Sequence, residues 1–208
     1  MDTVWKHPGL VVKTYREGCK GVFTNLDLDR NEVILVERVV SGTHADLSTV
    51  VAGNRDLYKE LHPRGRDWSP DMARATNEDL ARNETLQEKL YCNCFQSGTP
   101  GLVHLGFLTS YFNHRCAANV VLFAENENNL VPSGTNDKDT LFCIVTVDPV
   151  PARAQLFLCY DPGVGHGDGW TFSCDCKGQE EEGNINDAKV DDAYAHLTRR
   201  LQTFRDGS

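Results

Sequence analysis

The chain has 208 residues, of which 40% are apolar, and carries 21 basic against 30 acidic side chains, for a net charge of −9. This length and composition are typical of one compact domain, or of one domain with an appendage, and exclude disorder, collagen and coiled coil as descriptions of the whole chain. The negative excess argues against charge-driven binding to nucleic acid, which depends on Lys and Arg at phosphates, and favours basic peptides as partners.

The sequence predicts neither a membrane span nor a secretory signal. Its longest aliphatic runs, such as residues 120–124, are far shorter than the roughly 18 to 20 apolar residues of a spanning helix. The first ten residues lack the basic start, apolar stretch and small-residue cleavage site of a signal peptide. We therefore expect an intracellular protein, of the nucleus or the cytoplasm, whose eight cysteines are reduced.

The first half of the chain predicts strands followed by helices. The segments LVVKTY, GVFTNL and EVILVERVV are strand-like and separated by turn residues, which indicates a small β module over residues 9–40. Residues 41–66 are polar and interrupted by Gly and Pro, which predicts loop with a short helix. Residues 70–91 are predicted to be helical, because Ser69-Pro70-Asp71 and Thr76 with Asp79 both resemble helix starts.

The second half predicts a buried centre and a terminal helix. Residues 102–125 are apolar and end in the strand-like VVLFAE. The strand-like segments 141–147 and 154–160 flank a Pro149/Pro151 corner, which predicts a hairpin. A C-terminal helix is predicted from four residues that share one face at helical spacing, namely Tyr194, Leu197, Leu201 and Phe204.

Four short motifs follow one another along the chain. They are GCKGVF at residues 18–23, NHRCAAN at 113–119, LFLCY at 156–160 and FSCDC at 172–176. Alone, NHRCAAN could be polar residues that turn the chain out of a buried segment. Together the four resemble the SET-domain protein lysine methyltransferases, whose order is a glycine turn with Phe, Asn-His-Ser-Cys-x-Pro-Asn, Glu-Leu-x-x-x-Tyr and often Phe-x-Cys-x-Cys.

The resemblance implies an α+β fold, mainly β, built from several small sheets. It implies a pseudoknot-like threading that brings Tyr160 close to Asn113. On this basis we expect a SET-like catalytic domain over residues 1–176 with a helical insertion at about 41–91. An acidic loop and a C-terminal helix are expected to follow at 177–208.

The resemblance also implies roles for individual residues. Asn113 and His114 are expected to hold the adenine and amino-acid ends of S-adenosylmethionine, and Lys20, Gly21 and Val22 to close over this cofactor. The remaining matches are Tyr160, at the position of the catalytic tyrosine, and Leu158, at the substrate-channel position that limits how many methyl groups fit. The implied enzyme is a protein lysine N-methyltransferase that acts on a lysine-containing basic protein tail, with a histone as an expected substrate in chromatin.

The chemistry of this reaction suits these residue types. Methyl transfer needs a neutral lysine amine, although the unperturbed pKa of lysine is about 10.4. A narrow apolar channel and a nearby positive sulfonium both disfavour the ammonium form. The hydroxyl of Tyr160 can then orient the amine lone pair toward the methyl group, and no general base is required if the proton leaves through water.

A zinc ion is a second possible cofactor that the resemblance implies. The family's zinc site uses the cysteine of the Asn-His motif and three later cysteines, and here Cys116, Cys174 and Cys176 match. Tetrahedral zinc needs a fourth ligand, which would come from Cys92, Cys94, Cys159 or a histidine such as His166. The alternative is that these cysteines are ordinary buried thiols.

Several positions depart from the family pattern and keep two other functions open. Cys19 replaces a glycine, Arg115 replaces Ser, Ala118 replaces Pro, and Arg153-Ala154-Gln155 stands where many members have Gly-Glu-Glu. These changes leave room for a catalytically impaired SET-like module that binds or scaffolds. A third hypothesis is a cysteine-based metal or thiol protein built on the two Cys-x-Cys pairs.

Overall fold

The computed structural model describes residues 2–16, 19–63, 68–126, 140–160 and 186–206. Within these ranges the chain forms small sheets, a helical insertion and a long C-terminal helix. The strands are β1 Asp2–Lys6, β2 Leu10–Arg16, β3 Cys19–Thr24, β4 Val33–Arg38, β5 Val40–Gly42, β6 Phe95–Gln96, β7 Val103–Leu105, β8 Asn113–His114, β9 Val120–Asn126, β10 Thr140–Thr146 and β11 Phe157–Leu158. The α-helices are α1 His44–Gly53, α2 Arg55–Glu60, α3 Asn77–Ala81, α4 Glu84–Asn93 and α5 Asp187–Asp206, with 3-10 helices at Pro70–Arg74 and Thr109–Tyr111.

The largest sheet is antiparallel and has the order β1-β4-β10-β9. Strand β10 is buried along almost its whole length, and Cys143 on it pairs with Val36 on one side and Phe123 on the other. The predicted hairpin between segments 141–147 and 154–160 is therefore wrong. Strands β4 and β9 occupy both edges of β10, so no edge is left to pair with residues 154–160.

The predicted opening module is divided between two sheets. Strands β2 and β3 form the expected antiparallel hairpin, in which Val12 pairs with Val22. Strand β4 instead belongs to the large sheet, because its buried VILV run packs on both faces. Three short strands form a further sheet in the order β5-β7-β6.

The insertion contains more helix than the sequence suggested. The expected loop with a short helix at residues 41–66 contains α1 and α2, which begin at capping residues Thr43 and Asn54. The helix predicted over 70–91 is divided into a 3-10 helix, α3 and α4, since Thr76 and Asn83 each cap a new start. These helices enclose a core of their own, whose members include Leu47, Val51, Leu57, Leu86 and Leu90.

The C-terminal helix α5 confirms the predicted helix and packs on the large sheet. Ala193, Leu197 and Leu201 join the apolar cluster that contains Cys143. Tyr194 was expected on the same buried face but is 45% exposed, and the side chain of Phe204 lies outside the described residues. Within the described ranges, no helix combines the length and apolar character that a membrane crossing requires.

A fully buried lysine stabilises the end of the insertion. The Nζ atom of Lys89 on α4 donates to the carbonyl oxygens of Leu61, at 2.9 Å, and Pro63. It also lies 4.7 Å from the ring centroid of Tyr58. Because a buried cation is tolerated only when it is hydrogen-bonded, Lys89 ties the segment after α2 to α4.

We expect Lys89→Met to destabilise the protein by about 3 kcal/mol, because two carbonyl groups lose a charged donor. The measurement is the free energy of unfolding from urea titration. Lys59→Met is the matched control, since Lys59 is exposed on the neighbouring helix α2 and should change this free energy by less than about 0.5 kcal/mol. Equal effects of the two substitutions would contradict this role of Lys89.

Candidate active site

Two sequence motifs lie side by side at the centre of the protein. Strands β8 and β11 pair in parallel, with Asn113 opposite Phe157 and His114 opposite Leu158. The amide of Arg115 continues this pairing by donating to the carbonyl of Leu158 at 3.0 Å. The segment that leads to Tyr160 therefore lies beside Asn113, as the family resemblance implies.

Asn119, at the end of the Asn-His motif, fixes this pairing from one side. Its Nδ2 donates to the carbonyl of Gln155 at 3.0 Å, and its Oδ1 accepts from the amide of Phe157 at 2.8 Å. A single amide side chain thus satisfies both backbone groups that flank Leu156, which is fully buried. Asn119 belongs to the Asn-His motif, but the sequence pattern alone does not reveal this role.

The glycine turn contacts both motifs. Lys20 accepts, through its carbonyl oxygen, a hydrogen bond from Asn113 Nδ2 at 3.1 Å, and the carbonyl of Val22 accepts from the amide of Leu156 at 2.8 Å. A Cβ atom at Gly21 would lie 2.5 Å from Gln155 Nε2 and 2.7 Å from Asn113 Nδ2. A side chain at position 21 would therefore displace the amides of Gln155 and Asn113, and residues 20–22 form one wall of the corner around Asn113.

The ring of His114 has a defined tautomer. The backbone N–H of Tyr160 donates to His114 Nδ1 at 2.9 Å, although the two residues are 46 positions apart. Since a peptide N–H can only donate, Nδ1 is the acceptor, and the neutral ring carries its proton on Nε2. That Nε2 lies 3.4 Å from the Sγ of Cys116, so the imidazole donates to sulfur on its other side.

The side chain of Tyr160 lies in an aromatic environment beside this corner. Its ring centroid is 5.2 Å from that of His114 and 6.5 Å from that of Phe95, and its hydroxyl donates to the carbonyl of Phe112. Burial, with a smaller contribution from nearby Cys92, raises the pKa of Tyr160, so the phenol stays protonated at neutral pH. A hydroxyl whose proton is directed to a carbonyl can still accept a hydrogen bond from an incoming amine.

Leu158 lies on β11, two residues before Tyr160. It is 3% exposed and packs in the apolar cluster that also contains Phe112 and Leu156. The backbone of Leu158 pairs with His114. Leu158 therefore contributes to the apolar cluster against which Tyr160 packs.

A buried carboxylate that the sequence analysis missed supports the segment before Asn113. Glu37 on β4 is 1% exposed, and its two oxygens accept from the amide of Leu108 at 2.7 Å, the amide of Thr109 at 2.9 Å and the hydroxyl of Thr109 at 2.7 Å. Glu37 thereby caps the 3-10 helix that leads into β8. The available signal was an acid inside an apolar strand, which needs partners when it is buried.

Of the cysteines and the histidine considered as zinc ligands, only some lie in the described part of the chain. Cys116 lies beside His114, whereas Cys174, Cys176 and His166 lie outside the described residues. Burial raises the pKa of the Cys94 thiol to about 12 and raises that of Cys92 as well. In the part of the chain that the structure describes, no three His, Cys, Asp or Glu side chains are grouped to hold a metal.

The departures from the family pattern lie around the same corner. The guanidinium of Arg115 lies 5.7 Å from the ring centroid of Phe157, and Ala118 is 7% exposed. Cys19 begins β3. Gln155 Nε2 is buried and has no hydrogen-bond partner among the described residues, which marks position 155 as the least satisfied part of the corner.

Replacement of Glu37 by Gln should cost roughly 2 kcal/mol, because an amide supplies only one acceptor oxygen for three donors. The measurement is the free energy of unfolding, and Glu84→Gln on the exposed face of α4 is the control. If Glu37→Gln were as stable as the control, Glu37 would not be the group that holds the 3-10 helix.

Comparison with known proteins identifies the family. The family model described as SET domain matches residues 20–161, which is more than half of the chain. A SET domain-containing protein of Acanthamoeba polyphaga mimivirus is 26% identical over 184 residues, and the match covers 88% of this chain and 53% of that protein. The chain therefore spans about half the length of this curated relative.

Two solved structures are also similar to the chain. A candidate histone methyltransferase of Plasmodium falciparum has a TM-score of 0.44 and 12% identity, and the match covers 79% of this chain and 97% of that one. A chain of the Chaetomium thermophilum Polycomb Repressive Complex 2, a humanized mutant bound to an inhibitor, has a TM-score of 0.42 and 15% identity, with coverage of 74% and 15% respectively. On the match of the family model over residues 20–161, the chain belongs to the SET domain family.

Proposed function

We propose that the protein is an S-adenosylmethionine-dependent protein lysine N-methyltransferase. Membership of the SET domain family supports methyltransferase chemistry. The observation that supports the proposal most directly is the contact between the Tyr160 amide and His114 Nδ1, at 2.9 Å. This contact places the tyrosine beside the corner that Asn113 and Lys20 form.

The residues around this corner fit the cofactor. The side-chain amide of Asn113 is already oriented by the carbonyl of Lys20, and the absence of a Cβ at Gly21 leaves the turn close to Asn113. We infer that Lys20, Gly21, Val22, Asn113 and His114 hold S-adenosylmethionine. When bound, this cofactor supplies an electrophilic methyl group on a positively charged sulfonium.

The chain's own side chains prepare the lysine amine. The surroundings of Tyr160 are apolar and aromatic, with the ring of Phe95 edge-on to the tyrosine and Leu158 nearby in the same cluster. Such surroundings disfavour the ammonium form of an entering lysine and lower its pKa. Leu158 supplies an aliphatic wall, so the space for added methyl groups is set by packing rather than by a second hydroxyl.

Tyr160 positions the neutral amine. Because the hydroxyl proton is directed to the carbonyl of Phe112, the phenol oxygen accepts from an amine N–H and leaves the nitrogen lone pair to point at the methyl group. The raised pKa of Tyr160 keeps this hydroxyl protonated. The proton of the ammonium leaves to water before the methyl group is transferred, so no general base is needed.

The proposed substrate is a basic protein tail such as that of a histone. The net charge of −9 favours Lys- and Arg-rich peptides over nucleic acid.

Zinc stays a proposal that depends on Cys116 together with Cys174 and Cys176. If zinc is bound, the N–H of His114 that points to Cys116 also stabilises a thiolate there.

One observation favours a second candidate, a SET-like module that binds without turnover. Gln155 stands where many members have Glu, and its buried Nε2 has no partner in the described part of the chain. A corner with an unsatisfied donor is less well ordered for a cofactor. Binding of S-adenosylmethionine separates the two candidates.

We expect Tyr160→Phe to reduce methyl incorporation from labelled S-adenosylmethionine into histones by at least about 100-fold, because the amine loses the group that orients it. Phe retains the ring contacts with His114 and Phe95, so the fold should be kept, with a loss of about 1 kcal/mol because the carbonyl of Phe112 loses its donor. Tyr194→Phe, on the exposed side of α5, is the control and should keep full activity. Unchanged incorporation in Tyr160→Phe would remove this residue from the mechanism.

A thermal-shift measurement tests cofactor binding itself. S-adenosylmethionine at a hundredfold its dissociation constant should stabilise the fold by about 2.7 kcal/mol, because it binds only the folded state. Asn113→Ala should abolish the shift, since the side chain that contacts Lys20 is removed. A wild-type protein that binds peptide but gives no shift with the cofactor would favour the binding module.

A further inference from the structure

A carboxylate of the helical insertion reaches the glycine turn. Glu60 is the last residue of α2, and its Oε2 lies 2.5 Å from the Nζ of Lys20 and 2.7 Å from the hydroxyl of Tyr111. The same Nζ lies 5.7 Å from the centroid of the Tyr111 ring. One oxygen of Glu60 therefore accepts both from the glycine turn and from the 3-10 helix that precedes Asn113.

Lys20 and Tyr111 are each connected to Asn113, the first by a hydrogen bond and the second through the chain. Lys20 carries the carbonyl that accepts from Asn113 Nδ2, and Tyr111 ends the 3-10 helix two residues before Asn113. The three side chains line a groove of about 300 Å³ whose other walls include Val12 and Phe107. Glu60 thus contacts the side chain of Lys20, one of the residues proposed to hold the cofactor, although it comes from the insertion.

The position of Glu60 is electrostatically unfavourable without a partner. A carboxylate at the C-terminal end of a helix faces the negative end of the helix dipole. The ion pair with Lys20 is also partly exposed, with 32% and 37% of the two side chains accessible, so its contribution to stability is small. The pair is better explained by its effect on the charge of the groove than by its effect on folding.

The charge of Lys20 matters because the proposed cofactor is a cation. A lysine ammonium next to the glycine turn would repel the positive sulfonium, and a paired lysine would not. We propose that Glu60 is a positioning residue that neutralises Lys20, so that the corner accepts a positively charged sulfonium donor. This inference rests on the proposed function.

The test compares two ligands that differ in this charge. S-adenosylmethionine carries the sulfonium, whereas S-adenosylhomocysteine has a neutral thioether in its place. In Glu60→Gln, we expect the dissociation constant for S-adenosylmethionine to rise roughly fivefold more than that for S-adenosylhomocysteine, about the size of the effect of one unit charge that is screened by water and salt. The difference should shrink at 0.5 M salt, about the regime in which charges are screened within a few ångströms.

Two further variants keep the test decisive. Glu60→Gln combined with Lys20→Met should restore the wild-type ratio of the two dissociation constants, because no uncompensated ammonium is left. Glu78→Gln is the matched control, since Glu78 forms an exposed ion pair with Arg82 on the same insertion at 2.5 Å. That variant should leave both constants unchanged.

Titration calorimetry on the full chain measures both constants. Equal weakening of the two ligands in Glu60→Gln, or no weakening of either, would overturn the charge-balancing role. A ratio that the double variant fails to restore would overturn it as well. A wild-type chain that binds neither ligand would refute the proposed function first, and with it this inference.

Discussion

The parallel pairing of β8 with β11 is the interaction on which the rest of the site depends. It joins two short segments that are far apart in the chain, and a two-residue ladder does not hold itself together. The side chain of Asn119 supplies the missing support, because it binds the backbone on both sides of Leu156. Tyr160 reaches His114 only because this pairing fixes the chain immediately before it.

Sequence reasoning predicted which motifs lie side by side better than it predicted how the strands pair. The family motifs identified Asn113, His114 and Tyr160, which the fold brings together. The predicted partner of β10 was wrong because neighbouring strand-like segments favour a hairpin, whereas β10 pairs with the preceding strand β9 and with the distant strand β4.

Sequence motifs could not predict contacts between elements that are distant in the chain. Glu37 and Glu60 both act across long stretches of chain, and an isolated acid in a sequence does not reveal which amide or ammonium it will meet. Glu37 is buried and acts through hydrogen bonds, whereas Glu60 is partly exposed and acts through charge. Together they connect the large sheet and the insertion to the segment that carries Asn113.

A crystal structure of the chain with S-adenosylhomocysteine and a lysine-containing histone peptide tests the central claim most directly. The account predicts that the ligand sulfur lies beside the corner of Asn113 and His114, with the lysine nitrogen within hydrogen-bond distance of the Tyr160 hydroxyl and in line with the sulfur. A ligand bound elsewhere, or a lysine that enters on a side from which Tyr160 cannot contact it, would contradict the account.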